Sequence, residues 1–125
     1  MKKLNTKRSY INDVGITLQF IKQIILDTAK RLNIQVDKII LFGSRARGDY
    51  REDSDWDILI VTNEKLDRRK YLEFYSSVIK ALYEEKVKSD LIIMDKETFE
   101  EEKHILDTIP NEAFTEGITL WQIRL

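Results

Sequence analysis

The chain has 125 residues and a formal net charge of -1, with 21 basic and 22 acidic side chains. That balance leaves no clear basic footprint for nucleic acid. With no cysteine, disulfides, thiolate metal sites and cysteine nucleophiles are excluded. At 42% hydrophobic it is too apolar for a disordered chain. Its length suits one domain over residues 1–125. Met1-Lys2-Lys3-Leu4-Asn5 lacks the apolar stretch of a signal peptide, and no apolar run is long enough to span a bilayer. A cytoplasmic protein without membrane contact is expected.

Residues 1–15 are polar and mixed, and Gly15 is expected to close them off as a variable N-terminal extension to a core of about 16–123. From Ile16 to Leu32 the apolar positions Leu18, Ile21, Ile25, Ala29 and Leu32 recur at helical spacing, with Asn33 as the stop. Val36 to Phe42 is β-branched and apolar, ends at Gly43, and reads as a buried strand. Residues 44–54 read as a short helix and a loop. Trp56 to Val61 is a second buried strand. Asn63 and Glu64 open an amphipathic helix to about Glu85, with an apolar stripe of Leu72, Tyr75, Val78, Ile79, Leu82 and Tyr83. Asp90 to Met94 is a third strand, Glu97 to His104 a charged helix, Pro110-Asn111 a loop, and Ile118 to Ile123 a fourth strand. Helices alternating with strands predict an α/β (α+β) domain: a small sheet of about four strands covered by helices.

Chemistry concentrates in residues 43–57. Gly43-Ser44 stands where a buried strand gives way to a short helix. Unpaired N–H groups at a helix start attract phosphate. Gly43 lets a ligand approach closely, and Ser44 supplies a hydroxyl and suits an N-cap. Arg45 and Arg47 follow, able to neutralise phosphate or to pair with Asp49, Glu52 or Asp53. Asp55 and Asp57 flank Trp56 at a strand start, so both carboxylates share one face and Trp56 takes the other. Such a pair suits a hard cation such as Mg2+.

Each feature alone has an ordinary explanation: a capped strand-to-helix turn, and a solvated loop entering a strand. Together, four fixed residues at roughly 6% usage match by chance on the order of one time in a thousand in a chain of this size. Asp90, leading the next apolar strand, adds a third carboxylate. Asp53-x-Asp55-x-Asp57 with Glu64 imitates a calcium loop, but Ile58 stands where that loop needs Gly. His104 lies among Glu and Lys on an expected surface helix, and Glu97, Glu100, Glu101 and Glu102 read as a solvated face. Phe74, Tyr75 and Tyr83 fit core packing better than base stacking.

Phe42-Gly43-Ser44-Arg45-Ala46-Arg47-Gly48-Asp49, followed by Asp55-Trp56-Asp57-Ile58-Leu59-Ile60, resembles the minimal nucleotidyltransferases of the DNA polymerase beta superfamily. Asp90 matches that family's third acidic position, and Glu116 to Trp121 resembles its last strand, so the likeness runs from about Val36 to Trp121. The resemblance implies a polymerase-beta-like fold and these roles. Gly43 and Ser44 hold the β- and γ-phosphates of ATP, with Arg45 and Arg47 beside them. Asp55, Asp57 and Asp90 bind two Mg2+ ions, and Asp90 helps deprotonate the attacking hydroxyl. Small members of the family are typically paired with a HEPN toxin and, as antitoxins, adenylylate one of its tyrosines. The rival readings are transfer to a small molecule of the aminoglycoside kind, and a non-catalytic module that binds nucleotide or partner.

Overall fold

A computed structural model describes residues 6–124, with side chains from residue 14 onward. Of the expected extension at residues 1–15, residues 1–5 lie outside the described residues. Nine elements follow in order: α1 (Thr6–Arg31), β1 (Val36–Phe42), α2 (Ser44–Arg47), β2 (Trp56–Thr62), α3 (Arg68–Glu84), β3 (Ser89–Asp95), α4 (Lys96–Glu102), α5 (Ile109–Glu116) and β4 (Ile118–Gln122).

The four strands form one sheet in the order β3-β2-β1-β4. β1 runs antiparallel to β2 and β4, and β2 runs parallel to β3. The parallel pair needs a crossover, which α3 supplies. Alternation along the strands splits the core in two. Ile39 and Leu41 of β1 and Trp56, Ile58 and Ile60 of β2 point to one face, packed with Ile21 and Ile25 of α1 and Phe74, Val78 and Leu82 of α3. Ile40, Phe42, Leu59 and Val61 point to the other, against Phe99 of α4 and Ala113 of α5.

Four expectations need correction. Gly15 does not end a segment: α1 runs through it from Thr6. A helical Gly costs only about 1 kcal/mol relative to Ala, and a Cβ at Gly15 would meet nothing within 4 Å, so no packing conflict breaks the helix there. The helix does stop at Asn33, which takes φ 57°, while the Ile34 N–H donates to Ala29 O at 2.8 Å.

The second correction is the start and phase of α3. It begins after Asp67, whose side chain accepts from the Lys70 N–H at 2.8 Å. Its buried stripe is Phe74, Val78 and Leu82. Leu72 and Tyr83 lie roughly 100° or more around the helix from that stripe and are 49% and 73% exposed, so Tyr83 is not a core residue.

Third, Pro110-Asn111 is not a loop. It lies in the first turn of α5, behind Thr108, whose hydroxyl accepts from the Asn111 N–H at 3.1 Å. Proline is favoured at a helix start because its missing donor is not needed there. Fourth, α4 ends at Glu102, so His104 lies beyond it, exposed and edge-on to Phe114. No helix among the described residues is long and apolar enough to cross a membrane.

Candidate active site

The topology gathers the singled-out residues at one end of the sheet. Because β1 opposes β2 while β3 runs with it, the end of β1 and the starts of β2 and β3 share an edge. Phe42 pairs with Asp57, and Asp57 pairs with Asp90.

Gly43 takes φ 73°, a conformation in which side chains are strained. A Cβ built there would fall 2.0 Å from Asp57 Oδ2. Glycine is therefore required twice, by the backbone angle and by the carboxylate against it. Gly43 also holds the cap position of α2, so Ser44 is the first helical residue and not the N-cap expected. The Ala46 and Arg47 N–H groups both donate to Gly43 O at 3.0 Å. The amides of Ser44 and Arg45, two residues earlier, have no acceptor within the helix. Gly48 closes α2 at φ 89°, its N–H donating to Ser44 O at 2.9 Å.

Trp56 is buried on the α1/α3 face, so Asp57 points to the other, as the strand period requires. Asp57 is half-buried. Burial pushes its carboxyl up from 3.8 to about 6; the charges of Asp90, Asp55 and Glu112 add to the push, and Arg47 opposes it. Asp90 is exposed. Asp55 Oδ1 lies 3.7 Å from Lys88 Nζ, a solvated pair that contributes little to stability.

Among the described residues no three Asp, Glu, His or Cys side chains are already gathered at ligating distance. The donor chemistry nevertheless fits a hard divalent cation. The carboxylates are all oxygen donors at one end of the sheet, and the charged form of the most buried, Asp57, is disfavoured by burial and then by its like-charged neighbours.

The two arginines part company. Arg47 Nε lies 3.3 Å from Asp49 Oδ2, and its Nη1 lies 3.3 Å from Glu112 Oε2 and 3.6 Å from Glu116 Oε1. The Asp49 pairing was one of the two uses expected of it. Arg45 makes none of the expected carboxylate pairs. It donates from Nε and Nη2 to Ser54 O at 3.1 and 2.9 Å, and from Nη2 to Glu52 O at 3.0 Å. Its guanidinium carbon lies 4.1 Å from the Trp56 ring centroid and 4.8 Å from that of Tyr50.

Sequence reasoning missed Glu112 and Glu116 as neighbours of the site. Two glutamates four apart on a helix share one face, but that signal becomes visible only once α5 is recognised. Tyr50 was also missed, and no spacing rule would have found it.

Comparison with known proteins adds four findings. The profile of the nucleotidyltransferase-domain family matches residues 21–118. A Methanocaldococcus jannaschii protein named as a candidate protein adenylyltransferase is 33% identical over 86 residues, covering 60% of this chain and 87% of the relative. Among solved structures, a Sulfolobus solfataricus protein described as a candidate nucleotidyltransferase aligns with a TM-score of 0.61 at 23% identity, over 98% of this chain and 92% of that one. A complex of a tri-AMPylated Shewanella oneidensis HEPN toxin with its MNT antitoxin aligns with a TM-score of 0.52 at 21% identity, over 85% of this chain and 73% of that one. At such identities the structural matches speak to the fold.

Proposed function

Because this chain belongs to the nucleotidyltransferase-domain family, we propose that it transfers AMP from ATP to a hydroxyl acceptor, a tyrosine of a HEPN-type toxin for which it serves as antitoxin. One observation carries the chemistry: the Gly43 turn lies directly against Asp57, which pairs across the strands with Asp90. A phosphate-binding turn and a set of carboxylates therefore meet at one point. The names of two similar proteins support this acceptor: one is named for adenylylating protein, and one is an antitoxin in complex with an AMPylated toxin.

In this reading Gly43 and Ser44 hold the β- and γ-phosphates through their amides and the Ser44 hydroxyl. Arg47 turns from Glu112 and Glu116 toward the triphosphate. Asp55, Asp57 and Asp90 would hold two Mg2+ ions, which would offset the charge developing on the attacking and leaving oxygens. Asp90, the exposed member, takes the proton of the incoming hydroxyl. The acceptor oxygen forms a bond to the α-phosphorus, the bond from that phosphorus to the pyrophosphate oxygen breaks, and pyrophosphate leaves. Residues 16–123 suffice as one catalytic domain, with α1 extending it toward the N-terminus.

The test is incubation with labelled ATP, Mg2+ and the product of the neighbouring gene. Label should reach that protein with the wild type and not with Asp55→Ala/Asp57→Ala. Equal labelling by the two, or none by either, sinks the proposal. Label on a small molecule instead would move the acceptor and keep the chemistry.

A further inference from the structure

We propose that Arg45 is a positioning residue: a strut that fixes the separation between the Gly43-Ser44 turn and the carboxylates at the start of β2, without contacting the triphosphate. The inference rests on the reading of Asp55 and Asp57 as the carboxylates of the reaction.

The argument starts from what Arg45 already touches. Three of its five N–H donors are committed to main-chain oxygens, two to Ser54 O and one to Glu52 O. Its planar head lies over the Trp56 ring and over the Tyr50 ring. A guanidinium can do both at once, because its donors lie in the plane and its faces are free to stack. To reach a phosphate it would have to abandon carbonyls and both rings. Arg47, two residues on, instead meets exposed carboxylates that a phosphate can replace.

The groups that Arg45 holds adjoin the chemistry. Ser54 precedes Asp55, and Trp56 separates Asp55 from Asp57. The turn before them is tight: the Ser54 N–H donates to Arg51 O at 3.1 Å, and the Arg51 N–H donates to Ser54 Oγ at 2.9 Å. Nothing in a four-residue helix such as α2 is rigid by itself. With its base on α2 and its head on Ser54 and Trp56, Arg45 ties the phosphate-side turn to the strand that carries the acids. Groups that orient ligating carboxylates typically change metal affinity by about 10- to 100-fold when removed.

Lysine keeps the charge but can neither make the fork nor lie flat over the rings. Arg45→Lys is therefore the decisive variant, and Tyr50→Leu, which removes one face of the stack, is the milder second one. Circular dichroism confirms that each is folded. Amide hydrogen exchange over residues 49–56 should speed up by roughly tenfold or more in Arg45→Lys, and less in Tyr50→Leu. Mn2+ titrated without nucleotide should bind Arg45→Lys about tenfold more weakly than wild type. With ATP, kcat should fall and KM for ATP should change by less than about threefold.

A phosphate ligand gives the opposite pattern: KM rises, kcat holds, and neither exchange nor nucleotide-free Mn2+ binding changes. That pattern overturns the proposal. If wild type itself binds no Mn2+, the reading of the carboxylates fails separately, and the exchange measurement still decides whether Arg45 is the strut.

Discussion

On one face of the sheet Trp56, Ile58 and Ile60 of β2 lie under α1 and α3; on the other Asp57, Leu59 and Val61 face the shorter α4 and α5. On the first face the β2 side chains are buried along the strand. The second is sealed only in its middle and opens at the Asp57 end, where α5 presents Glu112 and Glu116 instead of apolar side chains. One strand thus gives its even positions wholly to the core, while its odd positions carry the carboxylate at the open end and core residues beyond it. Because the period is two, substitutions one residue apart should separate stability from activity.

The largest effect is expected at Asp57. Asp57→Ala should lower AMP transfer by on the order of a thousandfold or more, with a melting temperature no lower than wild type. A variant that keeps a tenth of the activity breaks the comparison. Next in size is Ile58→Ala, one residue on and fully buried. It should lower unfolding stability by about 3 kcal/mol, read from denaturant melts, and leave kcat of the folded fraction near wild type.

Gly43→Ala should come third. Its φ, and the clash that an added Cβ would make with Asp57 Oδ2, force either the turn or the carboxylate to move. Transfer should fall by roughly 100-fold while Tm falls only a few degrees. Wild-type activity in that variant would mean that the contact carries no function.

The smallest effect sharpens the comparison by its sign. With its carboxyl pushed up to about 6, Asp57 binds its proton more tightly folded than unfolded. That favours folding fully below pH 3.8, and the advantage is lost as pH rises to about 6. Asp57→Asn should therefore raise stability at pH 7.5 without divalent cations, by about 1 kcal/mol once screening at a half-buried site is allowed for. The gain should vanish near pH 4. Mg2+ should raise the Tm of wild type at pH 7.5 and leave that of Asp57→Asn nearly unchanged. A variant less stable than wild type at neutral pH contradicts this account.

The strands were legible because short apolar, β-branched runs between polar breaks have few other readings. β1 spans Val36–Phe42 as expected, and the other three match within two residues at each end. The helices were less so. Proline at 110 was read as a breaker when it opens a helix, which concealed Glu112 and Glu116. The stripe of α3 was misphased because Leu72 and Tyr83 are apolar enough to pass for core yet face water. The residues chosen for the site do converge, but their contacts needed strand pairing: nothing in the spacing says that Gly43 must clear Asp57. The fate of Arg45 was hidden for another reason. Sequence reading seeks partners among charged side chains, and Arg45 takes main-chain oxygens and aromatic faces.

The parallel pairing of β2 with β3 also sets a timetable. β1 and β2 pair as near neighbours in the chain, so the Gly43 turn and Asp57 can meet early during folding. Asp90 arrives only after residues 63–88 have been threaded into α3 and laid across the sheet, a long closure that chains complete late. The repulsion between Asp57 and Asp90 is therefore a late event, met by a core already largely in place. A chain still emerging during synthesis can bring the Gly43 turn against Asp57 before Asp90 stands beside them.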